Sequence, residues 1–182
     1  MQPKLLGAVI AGGQSRRFGS DKALAKIDGR CLLDHVVGGL AEQTDFIVIC
    51  GRDVSGHTCL ADHTERGLGP LGGLAAALHF AAMQGFHAVL TSACDTPDVP
   101  ADLADALAGD TPAVVFGQPL FGFWPAALSA ELDAYLAAGQ SCAVTHWADW
   151  AGARRVRLIG EIANINTPAD LTALRFRRLL GA

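Results

Sequence analysis

Charge is scarce in this sequence. Charged residues are 18% of the 182, and the formal net charge is -4. A chain so poor in positive charge does not hold nucleic acid by bulk electrostatics, so anionic ligands must be met by local cations. No apolar run is long enough to span a bilayer. The first strand-like run begins close to Met1, so no secretory leader is expected. Cysteine pairs are also missing. Cys31, Cys50, Cys59, Cys94 and Cys142 are scattered and odd in number, with no C-x-x-C. That pattern argues against a zinc site or a disulfide framework and predicts a cytoplasmic protein. Cys50, inside an apolar run, reads as a buried small apolar group. The six histidines show no metal-ligand spacing, and His57, His63, His79 and His87 read as surface or helix residues. Neither G-x-x-x-x-G-K-[ST] nor G-x-G-x-x-G occurs, which disfavours the Walker loop and the dehydrogenase-type dinucleotide fold.

Apolar residues, in contrast, make up 51%, which suits a compact α/β protein. Leu5–Ala11 reads as a buried parallel strand ended by glycines. Leu32, Leu33, Val36, Val37 and Leu40 recur at helical spacing and predict a helix over roughly 30–42. Phe46–Cys50 and Ala88–Ser92 are further buried strands. Between them Gly69-Pro70 opens an Ala-rich helix reaching about Met83. A helix of about eight residues is expected from Pro100. Val114–Phe116, Phe121–Trp124 and Val156–Ile159 look like strands, and Ala126–Ala138 and Ser141–Trp150 look helical. Thr167-Pro168-Ala169-Asp170 is a helix start with a Thr cap and an acid three residues on. That last helix carries Arg175, Arg177 and Arg178, which suit the negative helix end. Strands alternating with helices, without repeat or linker, predict one domain over residues 1–182. The architecture expected is a three-layer αβα domain around a mostly parallel twisted sheet.

In such sheets ligands sit beyond the carboxyl ends of the strands. The stretch "AVIAGGQSRRFGSDK", residues 8–22, follows the first strand. Gly12 and Gly13 let backbone N–H groups reach phosphate oxygens. Arg17 and Lys22 add the charge to neutralise a polyphosphate. In "SACDTPDVP" Asp95 ends a buried strand and is the candidate Mg²⁺ ligand, whereas Asp98 suits a cap. The Gly-rich "ADHTERGLGPLGG" permits close approach of a base or phosphate to backbone, and Asp62 there can accept hydrogen bonds from a base or sugar. In "NINTP", Asn164 and Asn166 precede a helix start, and either can bind a ligand or brace the turn.

"AGGQSRRFGSDK" resembles the signature loop of the molybdenum cofactor guanylyltransferases, roughly L-A-G-G-x-S-x-R-M-G-x-D-K, with Ile10 and Phe18 as apolar replacements. The likeness continues in order: "GPLGG" is similar to G-P-L-[AG]-G, "CDTPDVP" to C-D-x-P-x-[IVL]-P, "QPLFGFWP" to H-P-x-x-G-L-W-P, and "NINTPADL" to N-[IVL]-N-T-P-x-[DE]-L. The resemblance implies a nucleotide-diphospho-sugar transferase-like fold. It implies an enzyme that joins GMP from GTP to the molybdenum-loaded molybdopterin, with Mg²⁺, releasing pyrophosphate. Ile10, Ala11, Gly12, Gly13, Lys22, Asp62 and Asp95 would contact GTP, and Asp95 would hold Mg²⁺. Arg17 would lie near the triphosphate, and Asn164 and Asn166 on the pterin side. Molybdoenzymes and other proteins of the cofactor pathway would be transient partners. Two positions depart from the family: Gly51 or Arg52 stands where some members carry Asn, and Gln118 replaces a His. A cytidylyltransferase of the same cofactor or another small nucleotidyltransferase is the enzymatic alternative. The double glycine and "GPLGG" favour guanine, because cytidylyl relatives resemble A-A-G at the first site. A nucleotide-binding carrier in cofactor delivery is the non-enzymatic alternative.

Overall fold

The computed structural model describes residues 3–12, 24–63, 68–160 and 162–180. Strand β1 is Leu5–Ile10. A hairpin of β2 (Lys26–Ile27) and β3 (Arg30–Cys31) follows. Its turn is Asp28-Gly29, both at positive φ, as a two-residue hairpin loop requires. Helix α1 is Leu32–Ala41, strand β4 is Phe46–Cys50, and strand β5 is Thr58–Leu60. Helix α2 is Pro70–Gln84 and strand β6 is Ala88–Ala93. Then come α3 (Leu103–Leu107), β7 (Ala113–Val115) and β8 (Gln118–Pro125). A 3-10 turn at Ala126–Leu128 leads into α4 (Ser129–Ala137). Helix α5 (Val144–Trp150), strand β9 (Arg154–Val156) and helix α6 (Pro168–Leu180) complete the order.

The main sheet runs β5-β4-β1-β6-β8-β7-β9. The first four strands are parallel, β8 is antiparallel to both neighbours, and β7 pairs parallel with β9. Register matters most for function. Ile10 pairs with both Cys50 and Ala93, and Cys50 pairs with Leu60. Four adjacent parallel strands therefore end level, and their loops share one edge.

Alternation along β1 divides the core. Leu6, Ala8 and Ile10 face a layer with Leu71, Leu74 and Leu78 of α2 and Trp147 of α5. Val9 faces Leu33, Val36 and Leu40 of α1 and Leu103 and Leu107 of α3. Helix α2 lies very close to the sheet. A Cβ placed on Gly73 would sit 3.0 Å from Cys50 Cβ, so the glycine sets the approach distance. Gly85, at φ 75°, ends the helix in the left-handed conformation, which glycine adopts without strain.

Several boundaries differ from the sequence expectation. The last strand is Arg154–Val156, not Val156–Ile159. Arg154 starts it because its guanidinium donates to the carbonyls of Leu107 and Ala108, at 2.7 and 3.0 Å, and a charged residue suits an edge strand. The helix expected from Pro100 is confined to Leu103–Leu107, with Pro100 accepting from the Leu103 N–H in a preceding turn. Strand β7 stops at Val115, β8 starts earlier at Gln118, and the helix expected from Ser141 starts at Val144. The hairpin and edge strand β5 were not expected at all.

Candidate active site

The level strand ends are laced together beyond the sheet. Ala11 N–H donates to the Cys50 carbonyl at 2.9 Å, Gly51 N–H to Leu60 at 2.9 Å, and Cys94 N–H to Ile10 at 3.3 Å. This draws Gly12 and Gly51 against one another. A Cβ on Gly51 would lie 2.6 Å from Gly12 Cα, and Gly51 holds φ 85°. Both facts demand glycine there.

Asp62, two residues past β5, closes this gap from the side. Its Oδ1 lies 3.5 Å from the position of a Cβ on Gly51, and its Cγ 3.0 Å from one on Gly72. The half-buried carboxylate is thus ringed by the backbones of Gly12, Gly51 and Gly72. His63 N–H donates to the Gly72 carbonyl at 3.3 Å and ties the loop to the first turn of α2. A pocket of about 420 Å³ opens here, lined by Gly51, Arg52, Asp53, Leu60, Ala61 and Asp62. That volume suits a nucleotide-sized ligand. Cys50 beneath it is fully buried. Burial first, and then the nearby Asp62 carboxylate and Cys59, push its thiol up to about 12. Cys50 is therefore an inert packing group and not a nucleophile.

On the other side of β1, β6 turns through Cys94 and Asp95. Buried Thr96 donates its hydroxyl to the Ala93 carbonyl at 2.9 Å and fixes the turn. The Asp95 carbonyl accepts from the Ile165 N–H at 2.9 Å. Ile165 is buried with Ile27, Leu32 and Leu174, and the exposed Asn164 and Asn166 flank it. The segment before α6 is thereby held beside Asp95. The turn itself is braced by Thr167 and Asp170. Asp170 Oδ2 accepts the N–H groups of Asn166 and Thr167 at 2.8 Å each, and Thr167 Oγ accepts that of Asp170 at 3.2 Å.

The structure thus brings Ile10, Ala11, Gly12 and Asp62 together on one side of the edge, and Asp95, Asn164 and Asn166 on the other. Gly13, Arg17 and Lys22 lie outside the described residues. Sequence reasoning missed two parts of the setting. One is the role of Gly51 and Gly72 in enclosing Asp62, although the glycine directly after the second buried strand signalled it. The other is Arg178, expected only to complement the end of α6. It bridges Asp28 of the hairpin turn at 2.6 Å and Asp98 of the loop after β6. Burial opposes its charge, but the two carboxylates more than offset this and raise its pKa. Arg175 likewise donates to the Lys26 carbonyl.

A family model described as the MobA-like NTP transferase domain matches residues 7–153. A molybdenum cofactor guanylyltransferase from Cereibacter sphaeroides is 36% identical over an alignment of 182 positions, gaps included, that covers 92% of this chain and 94% of the relative. The crystal structure of a molybdopterin-guanine dinucleotide biosynthesis protein A from Archaeoglobus fulgidus aligns with a TM-score of 0.76 at 20% identity, over 96% of this chain and 99% of that one. A Mycobacterium tuberculosis protein, Rv0371c, solved in complex with manganese, aligns with a TM-score of 0.63 at 16% identity over the whole of both chains. The two structural likenesses establish the shared fold, and the domain match and the close sequence relative establish the kinship. The chain belongs to the MobA-like NTP transferases, within the molybdenum cofactor guanylyltransferase family, and is a nucleotidyltransferase.

Proposed function

We propose that this enzyme transfers GMP from GTP to molybdenum-loaded molybdopterin in the cytoplasm, yielding the guanine dinucleotide cofactor and pyrophosphate. One observation carries the choice of base: a carboxylate, Asp62, enclosed by the glycine backbones of 12, 51 and 72. Guanine presents two adjacent N–H donors on its pairing edge, and a carboxylate accepts both. Cytosine presents an acceptor beside its amino group, and an ionised carboxylate repels that acceptor. The glycines leave a planar base room to lie against the backbone.

The remaining roles rest on where these residues stand in the sequence motifs. The N–H groups at Gly12 and Gly13 receive phosphate oxygens. Arg17 and Lys22 oppose the charge of the triphosphate and of the departing pyrophosphate. Asn164 and Asn166, held next to Asp95, hydrogen-bond the pterin substrate. A terminal phosphate oxygen of the pterin attacks the α-phosphorus of GTP in line. A new P–O bond forms, the bond from the α-phosphorus to the bridging oxygen breaks, and pyrophosphate leaves with its electron pair. The attacking phosphate is already ionised near neutral pH, so no strong general base is needed. Catalysis is positioning and charge neutralisation.

The donor chemistry at Asp95 fits Mg²⁺: a carboxylate oxygen at a strand end, beside the edge where the phosphates are proposed to bind. Bound by Asp95 and phosphate oxygens, Mg²⁺ would supply positive charge to the triphosphate.

The test is turnover. Purified chain, Mg²⁺ and molybdenum-loaded molybdopterin are incubated with GTP or CTP, and pyrophosphate and dinucleotide product are measured. The expected result is product from GTP at a rate at least about tenfold that from CTP. Equal or faster turnover of CTP would overturn the guanine assignment. Nucleotide binding without pyrophosphate release would favour a carrier.

A further inference from the structure

We propose that His63, His79 and Asp133 form a second cation site, for a transition ion of the Zn²⁺ class, distinct from the Mg²⁺ position at Asp95. The three come from separate elements: His63 from the loop after β5, His79 from α2 and Asp133 from α4. Their ligating atoms all lie within 4.8 Å of one another. His63 Nε2 is 3.8 Å from Asp133 Oδ1, near the separation of two ligands on one ion. The His63 and His79 rings stack with centroids 4.6 Å apart and planes 20° apart. Each nitrogen lone pair lies in its ring plane, so to share one ion the two rings must turn out of this stack about their side-chain bonds.

The donor set selects the ion. Two imidazoles and one carboxylate suit Zn²⁺, Co²⁺ or Ni²⁺, whereas Mg²⁺ prefers oxygen ligands. Bond lengths near 2.0–2.1 Å place tetrahedral ligands about 3.3 Å apart. The present separations close to that value by rotation of side chains, and His79 is exposed. Three protein ligands leave a fourth position for water.

The placement gives the site a consequence. His63 directly follows Asp62, and its N–H is already tied to Gly72. An ion held by His63, His79 and Asp133 would fasten the Asp62 loop to α2 and α4 together.

The experiment uses untagged, chelator-treated protein titrated with Co²⁺ and then Zn²⁺. Visible absorption and calorimetry give the ligand field, stoichiometry and affinity. The expected result is one Co²⁺ per chain with nitrogen–oxygen ligand-field bands, displaced by Zn²⁺. His79→Ala and Asp133→Asn should each weaken binding at least about tenfold. Failure to bind more tightly than about 1 mM would overturn the proposal. So would binding that is unchanged in both variants, or a thiolate-to-cobalt band, which would assign the ion to cysteine.

Discussion

Gly51 is required on two counts, a left-handed backbone and a Cβ position 2.6 Å from Gly12 Cα. Gly51→Ala should therefore cost about 1–3 kcal/mol of stability and weaken nucleotide binding, because relief must push apart the two strand ends that enclose Asp62. Urea unfolding midpoints and GTP titration of the variant check both effects, and an Ala variant as stable as the parent would refute the close approach. Asp95→Ala and Lys22→Ala should each lower turnover by at least about a hundredfold, the loss expected when one electrostatic stabiliser is removed. Near-normal rates at saturating GTP and Mg²⁺ would remove that residue from the mechanism. Cys50 gives a pH prediction. Its thiol is held up at about 12 in the folded chain, against 9.0 for an ordinary cysteine. From pH 9 upward the unfolded chain has lost a proton that the folded chain retains, so stability falls as pH rises towards 12. Cys50→Ala should lack that part of the fall when the two unfolding free energies are compared across this window. Parallel curves would contradict the burial of the thiol.

At the scale of elements, Arg178 ties α6 to the β2–β3 hairpin and to the loop after β6. Two charge-assisted contacts on a partly buried guanidinium predict a loss of about 1–2 kcal/mol in Arg178→Ala. Arg178→Lys should recover little of it, since a single compact ammonium does not occupy the two separate positions from which Nη1 and Nη2 reach Asp28 and Asp98. Denaturant midpoints of the two variants test this. If Lys restored full stability, a simple charge would suffice and the strut would not exist. The buried parallel strands and α2 were legible in the sequence because they are continuous apolar or Ala-rich runs between glycines and prolines. The short edge strands were not. β5 and β9 have three residues each and depend on neighbours for their pairing. Nothing in the local pattern of "RRV" marks a strand. Its register comes from β7 and from the reach of Arg154 to Leu107 and Ala108. The hairpin turn, Asp28-Gly29, carried a readable signal in its Asp-Gly pair and was overlooked.

At the scale of the whole molecule, a single feature creates the site: four parallel strands ending level at Leu60, Cys50, Ile10 and Ala93. The motifs that follow these strands lie far apart in the chain and this register lays them side by side, while the Ile165–Asp95 hydrogen bond brings in the segment of Asn164 and Asn166. Motif order singled out Ile10, Ala11, Gly12, Asp62 and Asp95, and the register sets them along one strand edge, where the proposed nucleotide contacts would lie. The glycine cradle around Asp62 was not legible in the sequence, because it is a contact between three loops and the first turn of α2. The histidine–aspartate cluster was hidden for the same reason: its members have no ligand spacing in the sequence, and the packing of α2 against α4 brings them together. A guanine nucleotide site at the strand edge is checked by a thermal shift titration with GTP, CTP and ATP, each with and without Mg²⁺. A nucleotide at a hundred times its dissociation constant adds about 2.7 kcal/mol, or roughly 5–10 °C for a chain of this size. A Mg²⁺-dependent rise of that order with GTP alone is the predicted result, and an equal or larger rise with CTP would contradict it.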